Sequence, residues 1–410
     1  MTFETIESDL QLARASGHVT LGDLRVAIVH DWLTGYAGSE RVLEQILLLF
    51  PQAELFSLVD HVPPTERRFL QGRPVNTSFL QGVPFSAQLF RKLLWLFPAA
   101  IESFDLSQFE LVISSSHAVA KGVITGPDQL HVCYCHSPIR YAWDRQHEYL
   151  RQAGLEKGIL SIYARAALHY LRLWDVRTAA GVNHFVANSS FIARRIAKVY
   201  AREAAVIHPP VAVNEFHINH EKSDCYVTAS RLAPYKRVDL IVRAFAKMPN
   251  RRLIVIGDGP EMEKCRRLAA SNVELMGYQP DDVLREAVGK ARAFVFAAEE
   301  DFGISVVEAH AAGTPVICFG RGGVLDSVVN GQTGIYFYQQ SVQSIIEAVE
   351  NFEALEFPLN ALTIQAQAQQ FSTENFRDRF LSYVAARWEE HSLDLKASEK
   401  DQIKRLAMRA

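Results

Sequence analysis

Short apolar runs alternate along this chain with longer stretches of helical spacing. The first clear run, LRVAIVHDW from Leu24, is β-branched and apolar, and it gives way to turn chemistry in LTGYAGSE. A continuous apolar run bounded by turn residues predicts a buried parallel strand. Helical spacing then starts at Ser39, whose hydroxyl is placed to cap, with Glu40 and Glu44 favouring the opening turn of RVLEQILLLF. Strand, glycine loop and helix make one unit. Similar runs recur at AELFSLV, FELVISSS, LHVCYCH and HFVANSS, the last followed by helical FIARRIAKVY. AAVIHPPV then ends on a proline pair that cannot continue regular structure. The alternation predicts an α/β layer built on a parallel sheet.

A second series begins at CYVTASRL and continues through RRLIVIGDGPE, NVELMGY, RAFVFAAEE and TPVICFG. Each run is followed by a turn and mostly by a helical pattern, which predicts a second Rossmann-like domain. From about Phe371 the pattern is helical, with Phe376, Phe380 and Val384 at four-residue steps. The expected organisation is an N-terminal extension over residues 1–22, a first Rossmann-like domain over 23–210 and a linker over 211–223. A second Rossmann-like domain follows over 224–372, then a C-terminal helix and tail over 373–410, the helix returning to the first domain. Two such domains on a short linker leave a cleft at the carboxyl ends of their sheets, where folds of this kind bind ligands.

Composition narrows the function classes. At 410 residues, with 49% hydrophobic and 22% charged positions, the chain has material for more than one core. Lys and Arg total 43 against 46 Asp and Glu, a formal charge of -3. No global basic field recruits nucleic acid or an anionic membrane, so any such contact has to be local. The apolar stretches Ile46 to Phe50 and Leu93 to Ile101 fall short of the roughly 20 residues that cross a bilayer. The opening MTFETIESDLQLARASGHVT carries early acids and no apolar segment, which argues against a secretory signal and for a cytoplasmic chain. The five cysteines are scattered, and the spacing of Cys133 and Cys135 is unlike a zinc pair, so reduced buried thiols are expected. No Asp-x-Asp occurs, and no His/Asp/Glu set has metal spacing. Chemistry without a metal or cofactor is expected.

The stretch most informative about chemistry is Ala298 to Val316, AEEDFGISVVEAHAAGTPV. A strand ends in acids, the Phe302-Gly303 turn follows, and a helix is expected from near Ser305 with Glu308 in its first turn. Unpaired amides at Gly303, Ile304 and Ser305 would make a ready diphosphate site. Glu300 and Glu308 can reach opposite ends of a ligand lying along that terminus, and carboxylates suit hydroxyls. From the residues alone, Glu308 complementing the helix dipole and Glu300 as a solvated loop acid stays open. In TASRLAPYKRVDLIVRAF, Arg231 and Lys236 lie on a loop after a strand and before a helix from about Val238 to Phe245. Two cations at a sheet's carboxyl edge can neutralise a departing diphosphate; a solvated basic loop is the competing reading.

His136 follows LHVCYC and precedes Ser137-Pro138, at a strand's carboxyl edge, and competes with a satisfied structural histidine. His117 and Lys121, in SSSHAVAKG, stand between acceptor or phosphate contacts and a capping or surface role. GDGPEM opens with Gly257 but has Met262 where the third glycine of a dinucleotide fingerprint would stand. It reads as a strand-to-helix turn, compatible with a position under a nucleotide. FRKLLWLFPAAI, near Phe90 to Ile101, and KGILSIYARAALHYLRLWDVR, near Lys157 to Arg177, mix apolar, aromatic and basic residues. Such helices either lie at a membrane interface or pack their apolar faces inward.

Arg231-x4-Lys236 after a strand, followed later by Glu300-x7-Glu308 with Phe302-Gly303 between, resembles the retaining glycosyltransferases of family 4. The likeness extends over nearly the whole chain from about Leu24: GYAGSERV resembles that family's amino-terminal glycine loop and GDGPE its second-domain turn. HSPIRYAWD, SSSHAVAKG and EEDFGI look like the bacterial mannosyltransferases that build cell-surface polysaccharides. The resemblance implies an α/β, GT-B fold, two Rossmann-like domains facing each other across a cleft, the first for the acceptor and the second for the nucleotide sugar. It implies that Arg231 and Lys236 hold the diphosphate, Glu308 the ribose hydroxyls and Glu300 the donor sugar, which the amides of Phe302 and Gly303 also meet. Ile304 and Ser305 belong to the same donor-binding terminus. Gly38 would let the backbone approach the phosphates, Tyr278 in LMGY would border the base, and His136 would lie beside the anomeric carbon. Asp301 stands where many members have Gly, so the sugar contacts of that turn are expected to differ. The implied reaction moves mannose from GDP-mannose, with retention and no enzymic nucleophile, to a hydroxyl of a glycan or lipid-linked glycan. A UDP-sugar donor, and a silent nucleotide-sugar-binding scaffold, are the alternatives. No nucleic-acid partner is expected, and peripheral contact with the inner face of a membrane stays open.

Overall fold

The computed structural model describes residues 21–355 and 359–407. All but the last two residues of the N-terminal extension, including the stretch weighed as a signal, lie outside the described residues, as do 408–410 of the tail. The chain divides into two compact units. One comprises residues 21–188, Ile192–Ile207 and 377–407; the other comprises Ser189–Phe191 and His208–Phe376.

In the first unit the described strands are β1 (Val26–His30), β2 (Glu54–Ser57), β3 (Val75–Thr77), β4 (Leu111–Ser116), β5 (Leu130–Cys135), β6 (His184–Ala187) and β7 (Ala204–Val206). They form one parallel sheet in the order β3-β2-β1-β4-β5-β6-β7, with Val26 paired to Leu111 and His30 to Ser115. Every residue of β1, β4 and β5 is buried, as a strand covered on both faces requires, so their side chains are apolar or, like Ser114 and His131 at 2.8 Å from each other, hydrogen-bonded in the interior. β3 escaped the sequence reading because it is three residues long and half exposed at the sheet's edge. The strand order reverses between β1 and β4, the position at which an open α/β sheet forms a crevice at its carboxyl ends.

Three helices of this unit bear on function: α1 (Gly38–Leu49), α2 (Phe97–Glu102) and α3 (Ile159–Ala179). The expected serine cap of α1 is corrected: Ala37 is the N-cap, and Glu40 reaches back to the Ala37 amide at 3.0 Å. FRKLLWLFPAAI is not one helix. A 3-10 segment over Phe90–Leu96, broken at Leu93, precedes α2; Phe90, Phe97, Ala100 and Ile101 are buried while Trp95 is half exposed.

The second unit carries β8 (Cys225–Ala229), β9 (Arg252–Ile256), β10 (Val273–Gly277), β11 (Ala293–Phe296), β12 (Val316–Phe319) and β13 (Gly334–Phe337). Their order is β10-β9-β8-β11-β12-β13, again parallel, with the reversal between β8 and β11. Alternate residues feed opposite faces. Val227, Phe294 and Phe296 pack into one core, and Tyr226, Val295 and Ala297 into the other. Helix α4 (Val238–Ala246) follows β8, and α5 (Ile304–Ala311) follows β11.

The long helix α6 (Thr373–Ala407) contributes its residues from Arg377 onward to the first unit. Phe380 and Val384 are fully buried there, Phe380 lying 6.1 Å from the Tyr134 ring. Arg379 donates to the Val206 carbonyl at 2.8 Å. All five cysteines are unbridged and buried. Among the described residues no helix is long and apolar enough to cross a membrane.

Candidate active site

The basic loop after β8 and the acidic turn after β11 flank the point where the second sheet reverses order. Pro234–Lys236 forms a 3-10 turn, and Arg237, in the left-handed region at φ 54°, directs the chain into α4. The turn places the Lys236 ammonium in an ion pair with the Glu300 carboxylate, both side chains mostly buried. The Phe296 ring lies 6.0 Å from the same ammonium. Charges so far from water need a partner. Arg231 is exposed on the same loop, and no carboxylate among the described residues pairs with it.

The acidic turn is held from behind by a glycine pair that the sequence reading passed over. Glu300 bridges to Gly322, and the Gly323 amide donates to the Glu300 carbonyl at 2.8 Å. A Cβ at position 323 would stand 2.1 Å from the Asp301 carbonyl oxygen, so only glycine admits this approach. Phe302 is buried against the rings of His208 and Phe371, at 5.5 and 5.4 Å. His208 Nε2 lies 3.0 Å from an Asp326 carboxylate oxygen. Burial opposes ionisation of Asp326, but the hydrogen bonds from His208 and Ser190 and the charge of His208 together outweigh it and lower its pKa.

Gly303, at φ 92°, is the N-cap of α5. The helix therefore starts at Ile304, one residue before the expected Ser305, and Glu308 lies beyond its first turn. The expectation that Glu308 sits in the first turn is corrected, and with it the simple reading that this carboxylate complements the dipole, whose effect fades within a turn. Among the described residues the amides of Gly303, Ile304 and Ser305 have no backbone acceptor.

Gly257, at φ 121°, packs so closely on the preceding loop that a Cβ would meet the Ser230 carbonyl at 1.9 Å. Its amide donates to the Gly277 carbonyl at 2.8 Å. This is the strand-to-helix turn expected of GDGP. Tyr278 follows β10 with its ring 77% exposed.

In the first unit the reversal between β1 and β4 gathers a buried polar network. The Asp31 carboxylate accepts four successive amides, from His117, Ala118, Val119 and Ala120, at 2.6, 3.0, 2.6 and 2.7 Å. It also faces His117 Nδ1 at 2.9 Å. Burial disfavours both charges, yet each supports the other: the Asp31 pKa is held well below, and that of His117 above, its usual value. A second line of bonds runs from Glu40 to His136. Glu40 lies 3.3 Å from His30 Nε2, His30 Nδ1 3.1 Å from the Ser115 hydroxyl, and that hydroxyl 2.9 Å from His136 Nε2. Burial pushes His136 down to about 3, with the charges of His117 and His30 adding, so its imidazole is neutral at pH 7.

Two expectations change here. Gly38 is the first residue of α1, not a loop glycine, and is absent from the residues with positive φ, because the helix begins immediately after Ala37. Lys121 is no surface cation: it is buried, with Nζ 2.6 Å from an Asp175 carboxylate oxygen. His30, Asp31 and Ser115 were not picked out from the sequence, although polar residues closing otherwise apolar strands were the available signal.

Residues 213–370 match the family described as Glycosyl transferases group 1. The matched residues lie within the second unit. Over 196 residues the chain is 30% identical to an exopolysaccharide phosphotransferase of Streptomyces coelicolor, covering 45% of this chain and 20% of that one. Over 168 residues it is 30% identical to a GDP-mannose-dependent alpha-(1-6)-phosphatidylinositol monomannoside mannosyltransferase of Mycobacterium tuberculosis, covering 37% and 43%. The chain spans about half or less of the length of these relatives. Anabaena HepE, solved with UDP, superposes with a TM-score of 0.65 at 16% identity, over 88% of this chain and all of that one. The fold is that of the two-domain GT-B class.

Proposed function

We propose that the protein is a retaining glycosyltransferase that moves a sugar, mannose from GDP-mannose in the reading the resemblance favours, to a hydroxyl of a glycan or lipid-linked glycan. The observation that carries the reading is the Lys236–Glu300 pair, set beside the Gly303 helix terminus at the reversal of the second sheet. A cation, a carboxylate and unpaired amides at one crevice suit a ligand with a diphosphate at one end and hydroxyls at the other.

In this mechanism Lys236, Arg231 and the amides of Gly303, Ile304 and Ser305 take up the charge that develops on the departing diphosphate. Glu300 orients the donor sugar, to which the Phe302 and Gly303 amides also bond, and Glu308 orients the ribose. Gly257 and Tyr278 border the nucleotide, and Gly38 the phosphates. The diphosphate oxygen accepts the acceptor's proton, so no side chain carries the sugar. A neutral His136 beside the anomeric carbon would stabilise positive charge there without adding a like charge. A UDP-sugar is the second reading, favoured by the UDP held in the Anabaena neighbour.

Saturation-transfer NMR against GDP-, UDP- and ADP-sugars, with Glu308→Ala as control, tests the proposal. Selective contact with GDP-mannose, weakened in Glu308→Ala, supports the mannose reading. Preference for a UDP-sugar replaces the donor, and binding of none of them overturns the function.

A further inference from the structure

Glu40, His30, Ser115 and His136 lie in hydrogen-bond contact from end to end inside the first unit. Strand register makes the line. His30 pairs with Ser115 across β1 and β4, and Ser115 pairs with Tyr134 across β4 and β5. His136, two residues beyond Tyr134, therefore comes out on the same face of the sheet. His30 and Ser115 are fully buried and Glu40 nearly so. Among the described residues the Ser115 hydroxyl meets only the two imidazoles.

Counting hydrogens gives the line a direction. Burial opposes charge on Glu40, but the hydrogen bond and charge of His30, a backbone bond and the charge of His117 together outweigh it and bring its pKa down to about 2. Glu40 is thus a carboxylate and can only accept. His30 has to donate to it from Nε2, and a ring holding one proton then accepts at Nδ1. The single Ser115 hydrogen goes to that nitrogen, and the Ser115 oxygen accepts in turn from His136 Nε2. Because the His136 ring is neutral, its Nδ1 is left with a lone pair and no hydrogen. The backbone of His136 is pinned as well: its amide donates to the Ser116 carbonyl at 2.8 Å, and its carbonyl accepts from Asn188 Nδ2 at 3.0 Å. Among the described residues Nδ1 has no partner.

We propose that Glu40, His30 and Ser115 are positioning residues that fix the tautomer of His136, so that it presents a bare Nδ1 to the substrate as a hydrogen-bond acceptor. In the reaction, Nδ1 takes a hydroxyl hydrogen of the transferred sugar and turns its lone pair towards the positive charge at the anomeric carbon. The opposite tautomer would set an N–H against that charge. This last step rests on the glycosyl-transfer reading; the tautomer does not.

Glu40→Gln reverses the line, and the structure dictates which way the new amide turns. The Ala37 amide and the Ser39 hydroxyl both donate to Glu40 Oε2, each at 3.0 Å, so the glutamine oxygen has to stay on that side and its NH2 has to face His30 Nε2. His30 then carries its proton on Nδ1, Ser115 turns its hydrogen to His136 Nε2, and the His136 proton moves to Nδ1.

The test is a long-range 1H–15N NMR spectrum of the ligand-free full chain, labelled at histidine, in mildly alkaline buffer, with His136 assigned by its loss in His136→Gln. The expected result is a protonated Nε2 and a proton-free Nδ1 in the wild type, the two exchanged in Glu40→Gln and averaged in Ser115→Ala. Circular dichroism checks that each variant is folded, and should Glu40→Gln not fold, Ser115→Ala carries the test. A wild-type His136 with its proton on Nδ1 overturns the proposal, as does a ring that neither variant moves. With a donor on which the wild type turns over, Glu40→Gln should lower kcat/KM about tenfold, the worth of one hydrogen bond. Full activity with the exchanged tautomer would remove Nδ1 from the sugar. A wild type that transfers from no nucleotide sugar overturns the glycosyl-transfer reading, while the tautomer is still decided by the spectrum.

Discussion

Replacing Lys121 by Met decides whether this lysine is a phosphate contact or a structural ion. Its ammonium is 1% exposed and lies 2.6 Å from Asp175 Oδ1, and it also donates to the Asp175 carbonyl at 2.9 Å and to Thr178 Oγ1 at 3.1 Å. Asp175 is fully buried, and its remaining donors are neutral: Trp143 Nε1 at 2.7 Å and the Tyr200 hydroxyl at 3.1 Å. Methionine keeps the aliphatic stem but leaves that carboxylate without a cation, which costs about 3–5 kcal/mol. Against a total stability of roughly 5–15 kcal/mol, the loss should be plain in a urea titration. Adding Asp175→Asn removes the stranded charge and keeps an acceptor for Trp143 and Tyr200, so the double variant should recover most of the loss. Tryptophan fluorescence is a direct probe, since Trp143 and Trp174 both lie at this network. If Lys121→Met left the urea midpoint unchanged while abolishing substrate binding, the structural assignment would be refuted.

Three further outcomes are expected. Arg231→Ala and Lys236→Ala should each lower the initial transfer rate on the order of 10²-fold. Arg231→Ala should do so without moving the melting temperature, because its side chain is exposed. Gly323→Ala, whose Cβ would collide with the Asp301 carbonyl, should displace the acidic turn and cost roughly 10²-fold in kcat/KM; full activity in this variant would remove the buttress argument. Acid should weaken the fold well before the carboxylates titrate. His131 and His136 in the first unit and His310 in the second are pushed by burial to about 4, 3 and 4. Each stays neutral when folded and takes a proton when unfolded, so its stabilising contribution is present above about pH 6.5 and is lost as pH falls towards its folded value. The slope is about 1.4 kcal/mol per pH unit for each, and urea midpoints between pH 7 and pH 4.5 should fall more steeply for the first unit than for the second.

The central strands were the most legible part of the fold. β1, β4 and β5 are covered on both faces, and apart from His131 their polar residues come only towards the carboxyl ends. β3 and β13 were missed because short edge strands carry a weak apolar signal, Val75–Thr77 being half exposed. Lys236 and Glu300 were read from two separate loops, and it is adjacency of β8 and β11 that brings those loops together. The start of α5 was misplaced by one residue because Gly303, in its left-handed conformation, ends the turn abruptly. The line from His30 through Ser115 to His136 joins residues 85 and 21 positions apart, and only strand register creates it. The packing of α3 was hidden for another reason: Leu168 and Leu171 are buried while Ile162 and Leu173 are exposed, and a helix apolar on two sides does not disclose which side is covered.

The long C-terminal helix bears on the order in which this chain can fold. Phe380 and Val384 fill the first unit's interior, and Tyr134 faces Phe380, yet some 240 residues separate that ring from its partner. While the chain is being synthesised, β5 emerges long before the residues that cover it. The second unit, contiguous apart from Ser189–Phe191, can complete itself first. The first unit must wait with Tyr134 and its apolar surroundings uncovered, so a nascent chain stalled before residue 377 is the form of this protein that chaperones would hold most firmly.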